Sequence, residues 1–388
     1  MLQYTVLPES LSYSRVFSVK PTGISSLYSM LGKIPDPRSP QGRRHPLQLL
    51  LTLAILSLCS GEVTYQAMEE WVVNYQKQLR KRVPYLAHHF IDASTFHRVF
   101  ARLDTLKLEM VLSEWLQIVS GVGVSEPIAI DGKTLSGLDC HLLSAFAHYA
   151  GSVLFEIGTD TKGKEIPLAL ELLDHIPVKG HIITADALHT QREFCRKVTT
   201  LGGGYALTAK GNQERLSEDI RLFFADPPFK AAIEKGETIE RGKGKLIRQS
   251  IQVTKDLNDY LSWPGLTHIW QLTREVTHLK TRQTTTEVAV GIARLLSEED
   301  NPSLQIIDLI RGHWSIENNL HRQRDVIFLE DRSTIRKGSA PQAMAALKNL
   351  VISIYHRSEV RYFPAAFRRF LAAPEELFDF LGLTNLAI

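Results

Sequence analysis

Apolar positions follow two rhythms along the chain, and the change falls near Pro127. Before it the pattern is helical. LQLLLTLAILSLC at 47–59 is interrupted only by Gln48, Thr52 and Ser57. It is too short to span a bilayer and predicts a buried helix. A second helix is expected from about Tyr65 to Arg82, and a third over STFHRVFARLD, capped by Asp92 or Ser94. Residues 1–32 carry little pattern and read as an arm. The segment 33–46 has four Lys/Arg against one Asp and several prolines, so it reads as a basic, irregular lead-in. Together these predict a small helical domain over 33–120, of a kind that reads DNA with a helix-turn-helix or one that only packs as a bundle.

After Pro127 short apolar runs alternate with helical stretches. PIAI ends at Asp131; HLLSAFAHY and SVLFEIGT follow as strands; Lys164 to Asp174 reads as helix. HIITA ends at Asp186, Gln191 to Leu201 is helical, YALTA is a strand, and Gln213 to Phe224 is helical again. The order β-β-β-α-β-α-β-α, three antiparallel strands and then parallel ones joined by crossovers, is the ribonuclease H-like α/β arrangement. Residues of about 235–290 break the rhythm with β-branched runs such as LIRQSIQVT and THIWQLTRE, which predicts a β-rich insertion with a basic face. A helix resumes near Leu304 and runs through Glu317 to about Phe328, and 342–388 is helical. The expected units are therefore 1–32, 33–120, and 121–388 with its insertion.

Composition narrows the class only slightly. With 44% hydrophobic and 22% charged residues the chain reads as globular, and a net charge of +3 neither requires nor excludes a nucleic-acid partner. Cys59, Cys140 and Cys195 show no ligand spacing and are expected to be small buried residues in a reducing, cytoplasmic setting. The N-terminus has no basic region followed by a long apolar core, so no secretory signal is expected.

Chemistry enters with three acidic residues. Asp131 and Asp186 each follow a strand, and those strands are neighbours in this sheet order, so both carboxylates leave at one edge. Glu317, in a late helix, can reach the same place. Three hard oxygen ligands suit Mg²⁺ or Mn²⁺, and two such ions support displacement at phosphorus. A single Asp after a strand is more often a turn former; the weight comes from the three positions together.

The chain resembles bacterial insertion-sequence DDE transposases of the H-repeat-associated type. The resemblance runs through IPDPRSPQGRRHPL (34–47), STFHRVFARLD (94–104), AIDGKTLSG (129–137), HLLSAFA (141–147) and KGKEIPLALELL (162–173). It continues through TADALHTQRE (184–193), YALTAKGNQ (205–213), RGHWSIENNLHRQRDVIFLEDRS (311–333) and IRKGSAP (335–341). It implies a ribonuclease H-like core with a β insertion before the glutamate, and a catalytic, metal-holding triad of Asp131, Asp186 and Glu317. It also implies two Mg²⁺ or Mn²⁺ ions, double-stranded DNA as partner at inverted-repeat ends and target, and a homodimer in the DNA complex. Lys210 and Asn212 are candidate DNA contacts or a plain turn. His189 and Gln191 orient water or DNA, or cap and pack. His313, Glu317, His321 and Arg324 share a helix face by steps of 4, 4 and 3, which makes His321 and Arg324 candidate contacts to DNA or to the metal shell, while Trp314, Ile316 and Leu320 are expected in the core. Trp263 and Trp270 are expected to be buried, with base stacking the alternative. Several positions depart from the family: Arg322 and Arg324 stand where tryptophan and leucine are usual, Ser136 replaces a basic residue, and the insertion carries Gly242-Lys243-Gly244-Lys245 with Ile247. These leave a decayed or repurposed DNA-binding copy as the competing reading.

Overall fold

The computed structural model describes residues 24–120, 123, 125–138, 140–159, 163–297 and 301–383. The chain divides into two compact units. The first is helical. Among its described residues it holds α1 (Ile24–Leu31), α2 (Leu47–Cys59), α3 (Tyr65–Asn74), α4 (Gln76–Arg82), α5 (Ala93–Phe100) and α6 (Thr105–Ser120). The α2 helix is buried nearly all round, as its apolar run requires. The expected 65–82 helix breaks at Tyr75 into α3 and α4. Asp92 caps α5, its carboxylate accepting the Thr95 N–H at 2.9 Å. The arm expected over 1–32 needs correction at its end, because 24–31 form a helix with Leu27 and Leu31 fully buried; its earlier part lies outside the described residues.

The second unit carries a nine-stranded sheet, and α7 (Glu165–Leu172), α8 (Arg192–Thr200), α9 (Glu214–Ala225), α10 (Asn258–Leu261) and α11 (Pro302–Ile316) accompany it. The strands are β1 (Ile128–Thr134), β2 (His141–Ala147), β3 (Val153–Thr159), β4 (Ile182–Ala185), β5 (Gly204–Ala209), β6 (Glu234–Gly242), β7 (Lys245–Thr254), β8 (His268–His278) and β9 (Thr284–Arg294). Their order across the sheet is β3-β2-β1-β4-β5-β9-β8-β7-β6. The first five, two antiparallel pairs and then parallel β1–β4–β5, give the ribonuclease H-like core. The insertion is no separate sheet: β9 pairs antiparallel with β5 and prolongs the core sheet.

Period-two alternation sorts the side chains between two faces. Ile128, Ile130, Ile183, Tyr205 and Leu207 pack with residues of α7, α8 and α9, while Ile182, Ala206, Trp270 and Ala293 pack with Ile306, Ile307 and Leu309 of α11. Trp263 and Trp270 are both buried. So are Cys59 and Cys195, but Cys140 is only half-buried, against expectation.

The helices α12 (Ala340–Arg357), α13 (Phe363–Ala372) and α14 (Pro374–Phe380) belong to the first unit. The span expected as one domain, 121–388, is thus divided, and its last helices pack with α2 and α6. No helix among the described residues is long and apolar enough to cross a membrane.

Candidate metal and catalytic site

The parallel register of β1 and β4 sets Ile130 beside Ala185, so the next residues, Asp131 and Asp186, emerge at one sheet end. Ile128 and Ile130 face the α7–α9 side, which turns Asp131 toward α11. There α11 continues into two wider, π-helical turns, Glu317–His321 and Gln323–Ile327. Such turns shift the side-chain face relative to an α-helix, and they recur at functional sites.

Ligand atoms of Asp131, Glu317 and His321 all lie within 4.8 Å of one another. His321 Nδ1 is 3.5 Å from both Asp131 Oδ2 and Glu317 Oε2. Burial raises the Asp131 pKa to about 6; the Gly132 N–H opposes this, and the charges of Asp186, Glu317 and Glu165 add to it. Burial, with Arg324 and Lys133 nearby, pushes His321 down to about 3, so its imidazole stays neutral. Carboxylates crowd together here beside a neutral imidazole nitrogen. That is the donor chemistry of a divalent-metal site, and these residues fit one.

Asp186 lies outside this closest group yet near enough to act on Asp131, and its side chain is half exposed. His189 Nε2 sits 3.7 Å from its Oδ1. Asn212 Nδ2 donates to the Ala187 carbonyl at 2.5 Å, and Gln213 reaches Gln191 at 3.1 Å. Asn212 therefore braces the Asp186 loop. Lys210 is exposed beside it and lines a cavity of about 410 Å³ with Arg274, Trp314 and Asn318.

Three residues depart from a stated expectation. Arg324 is not a surface contact for DNA: it is fully buried, with Nε on Glu330 at 2.6 Å and Nη1 on Glu156 at 2.5 Å. Burial works against its charge, but the two carboxylates outweigh that and raise its pKa. His321 is likewise no surface contact for DNA: it is buried beside Asp131 and Glu317, in keeping with the metal-shell alternative. Trp314, expected in the core, is half exposed with the Arg274 guanidinium 5.2 Å above its ring; Ile316 and Leu320 are buried.

The sequence reading missed a buried chain behind the site. His148 Nε2 lies 3.0 Å from Thr184 Oγ1, which lies 3.2 Å from His313 Nδ1. It links the strand bearing Asp186 to the helix bearing Glu317. Gly312 is needed for it, since a Cβ there would stand 2.2 Å from His148 Nδ1. That glycine in a helical stretch was the available signal.

An α/β core of this topology with acidic groups at the shared end of β1 and β4 defines a class of metal-using enzymes, and comparison with known proteins identifies the family. Residues 126–354 match the family described as Transposase DDE domain, and residues 28–116 match the region described as DDE_Tnp_1-associated. The chain belongs to the DDE transposase family. YncI of Escherichia coli O157:H7 is 28% identical over 344 residues, spanning 85% of this chain and 87% of that protein. The H repeat-associated protein YhhI of Escherichia coli strain K12 is 28% identical over 359 residues, covering 89% and 94%. A chain of the piggyBac transposase synaptic complex with hairpin DNA aligns with TM-score 0.40 and 11% identity, over 94% of this chain and 84% of that one. Divalent-metal use follows from the family.

Proposed function

We propose that this transposase cleaves and joins DNA strands at the inverted-repeat ends of its own insertion sequence, with Asp131, Asp186 and Glu317 holding two Mg²⁺ or Mn²⁺ ions. The observation that carries the reading is the convergence of acidic groups around a carboxyl whose pKa is pushed up to about 6. When bound, such ions stabilise both the attacking and the leaving oxygen of an in-line displacement at phosphorus. The chain's own residues supply the rest. Asp131, rooted in a strand, fixes one wall of the site, and Glu317 brings the second carboxylate from the π-helical turn that continues α11. Neutral His321 stands between them, able to donate to a carboxylate or offer a nitrogen to the metal. The exposed Lys210 is suited to a DNA phosphate, and the protein acts as a homodimer on double-stranded DNA.

The repurposed-copy reading loses one support. Arg324, the most marked departure from the family pattern, is matched by two buried carboxylates, which is accommodation and not decay.

Asp131→Asn, Asp186→Asn and Glu317→Gln should each abolish Mn²⁺-dependent cleavage and joining of end-bearing duplexes. They should weaken Mn²⁺ binding followed by titration calorimetry and leave duplex binding intact, because the amide keeps the shape and loses the charge. A variant that cleaves at the wild-type rate removes that residue from the site.

A further inference from the structure

The helical unit contains a second polar concavity, wholly separate in sequence from the acidic site. It has a volume of about 240 Å³ and is lined by Arg38, Arg44, His45, Arg98 and Arg102, with Ser39 and Thr95 supplying hydroxyls. The wall is a loop that locks itself. Asp36 takes the Arg38 backbone N–H at 3.0 Å and its guanidinium at 2.9 and 2.6 Å. Arg38 also donates to the His45 carbonyl at 2.5 Å, and Arg43 donates to the Arg38 carbonyl at 2.9 Å. Arg38 and Arg43 are thereby spent on building the loop.

Arg44, Arg98 and Arg102 are different. All three are exposed, and none has a carboxylate within ion-pair distance among the described residues. Arg98 lies in the last turn of α5 and Arg102 in the turn just past it, and Arg98 is steadied by the Ser94 carbonyl at 3.2 Å. The one carboxylate lining the cavity, Asp92, caps α5, accepting from Ser94 Oγ at 2.5 Å and Thr95 N at 2.9 Å, and its charge also acts on Arg98. Three exposed arginines against the single carboxylate of Asp92 therefore leave the hollow with a net positive charge. A net positive hollow suits an anionic partner, and the planar guanidinium is the side chain best shaped for phosphate oxygens. The lining residue His45 is held from behind: its Nδ1 lies 3.1 Å from Tyr85 Oη, and the Tyr85 ring stacks on His89 at 3.9 Å. Burial chiefly, and then His89, Arg44 and Arg38, hold His45 below its ordinary pKa, with the Asp92 carboxylate opposing them.

We propose that this pocket is a second DNA-binding site, in which Arg44, Arg98 and Arg102 grip the phosphodiester backbone of double-stranded DNA independently of base sequence. The choice of duplex DNA over other anions rests on the transposase reading above. Phosphate contacts of this kind set register and orientation and leave sequence to be read elsewhere.

The test uses the full chain in a chelator, with a labelled random-sequence duplex followed by fluorescence anisotropy across a salt series. Each arginine that neutralises a phosphate adds about 0.9 to the slope of log affinity against log salt. The combined variant Arg44→Ala, Arg98→Ala, Arg102→Ala should lose about two to three units of that slope and bind at least ~tenfold more weakly near physiological salt. Its melting temperature should be unchanged, since the side chains are exposed. The corresponding Lys substitutions, which keep the charge, should retain most of the slope; a loss equal to that of the Ala set would mean disturbed packing and overturn the proposal. Unaltered affinity and slope in the Ala variant would overturn it too, including the case where inorganic phosphate alone stabilises the wild-type chain, which would mark a small-anion site. The two readings fail separately. Normal Mn²⁺-dependent cleavage with no effect of the arginines sinks the pocket alone. Loss of duplex binding in the Ala variant, with no cleavage by the wild type in any divalent metal, sinks the catalytic reading alone.

Discussion

At the scale of single residues, strand parity made half of the site legible. Asp131 alternates with Ile130, and Asp186 ends an apolar run on the neighbouring strand, so pattern alone could bring them to one edge. Arg324 was not legible. The steps of 4, 4 and 3 assume an α-helix, whereas the chain here takes π-helical turns that carry Arg324 inward. Its partners also come from far away: Glu156 lies on β3, opposite Ser144, which itself lies opposite Asp131. No local spacing announces such a pair. Arg324 thus joins the helix of Glu317 to the strands behind Asp131, and Ser144 Oγ completes the group by donating to Glu156 at 2.5 Å. Arg324→Leu restores the residue usual in the family but strands two buried carboxylates. Removing one partner of a buried pair costs about 3–5 kcal/mol, so urea denaturation should show a loss of that order. Adding Glu156→Gln to Arg324→Leu should recover part of it. If Arg324→Leu proves as stable as the wild type, the ion pairs contribute nothing and the arginine is an accident of drift.

At the scale of elements, the strands of the insertion were readable from their β-branched alternation, but their place was not. Alternation gives a strand two faces and says nothing about which edge it will join. The deciding contact is a packing one. Gly291 in β9 lies between Leu207 of β5 and Trp270 of β8. A Cβ at Gly291 would stand 2.2 Å from the Leu207 carbonyl oxygen and 2.3 Å from Trp270 Cζ2. Backbone cannot yield as a flexible side chain can, so only glycine lets β9 sit against β5 while the Trp270 ring closes over it. The same indole anchors α11 through the cluster of Ile306, Ile307 and Leu309, which ties the insertion to the helix that carries Glu317. Gly291→Ala should destabilise the protein by about 1–3 kcal/mol through overpacking. Hydrogen exchange should show the loss concentrated in β8 and β9, with β1 to β3 still protected. Equal protection of all strands in the variant would mean that the junction tolerates a methyl group and that another contact fixes the insertion.

At the scale of the whole molecule, the order of units along the chain and the composition of each unit part company. The sequence marks a change of texture near Pro127 and gives no sign that the helical unit is finished only after residue 333. The reason is that α12 is buried over most of its circumference, from Ala340 to Tyr355, and such a helix shows that it is covered without showing by what. The contacts supply the answer. Tyr355 donates its hydroxyl to the Cys59 carbonyl, and Phe367 packs so close to Gly61 that a Cβ there would stand 2.6 Å from its ring. Arg82 bonds the Leu383 carbonyl at 2.7 Å and Asp379 at 2.9 Å. The helical unit is therefore closed by the end of the chain, and α2, apolar on every side, has no solvent-tolerant face without it. A chain ending at residue 332 keeps the whole nine-stranded sheet and loses the cover of α2 and α6. It should show strand signal in circular dichroism, bind a hydrophobic dye, and lack the cooperative melting of its helices. Supplying 333–383 on a flexible linker ahead of residue 24 should restore that transition, because the contacts depend on proximity and not on chain order. A 332-residue chain that melts as sharply as the full protein and leaves the dye dark would show that the N-terminal helices hold a core of their own, and that the last three helices are only laid upon it.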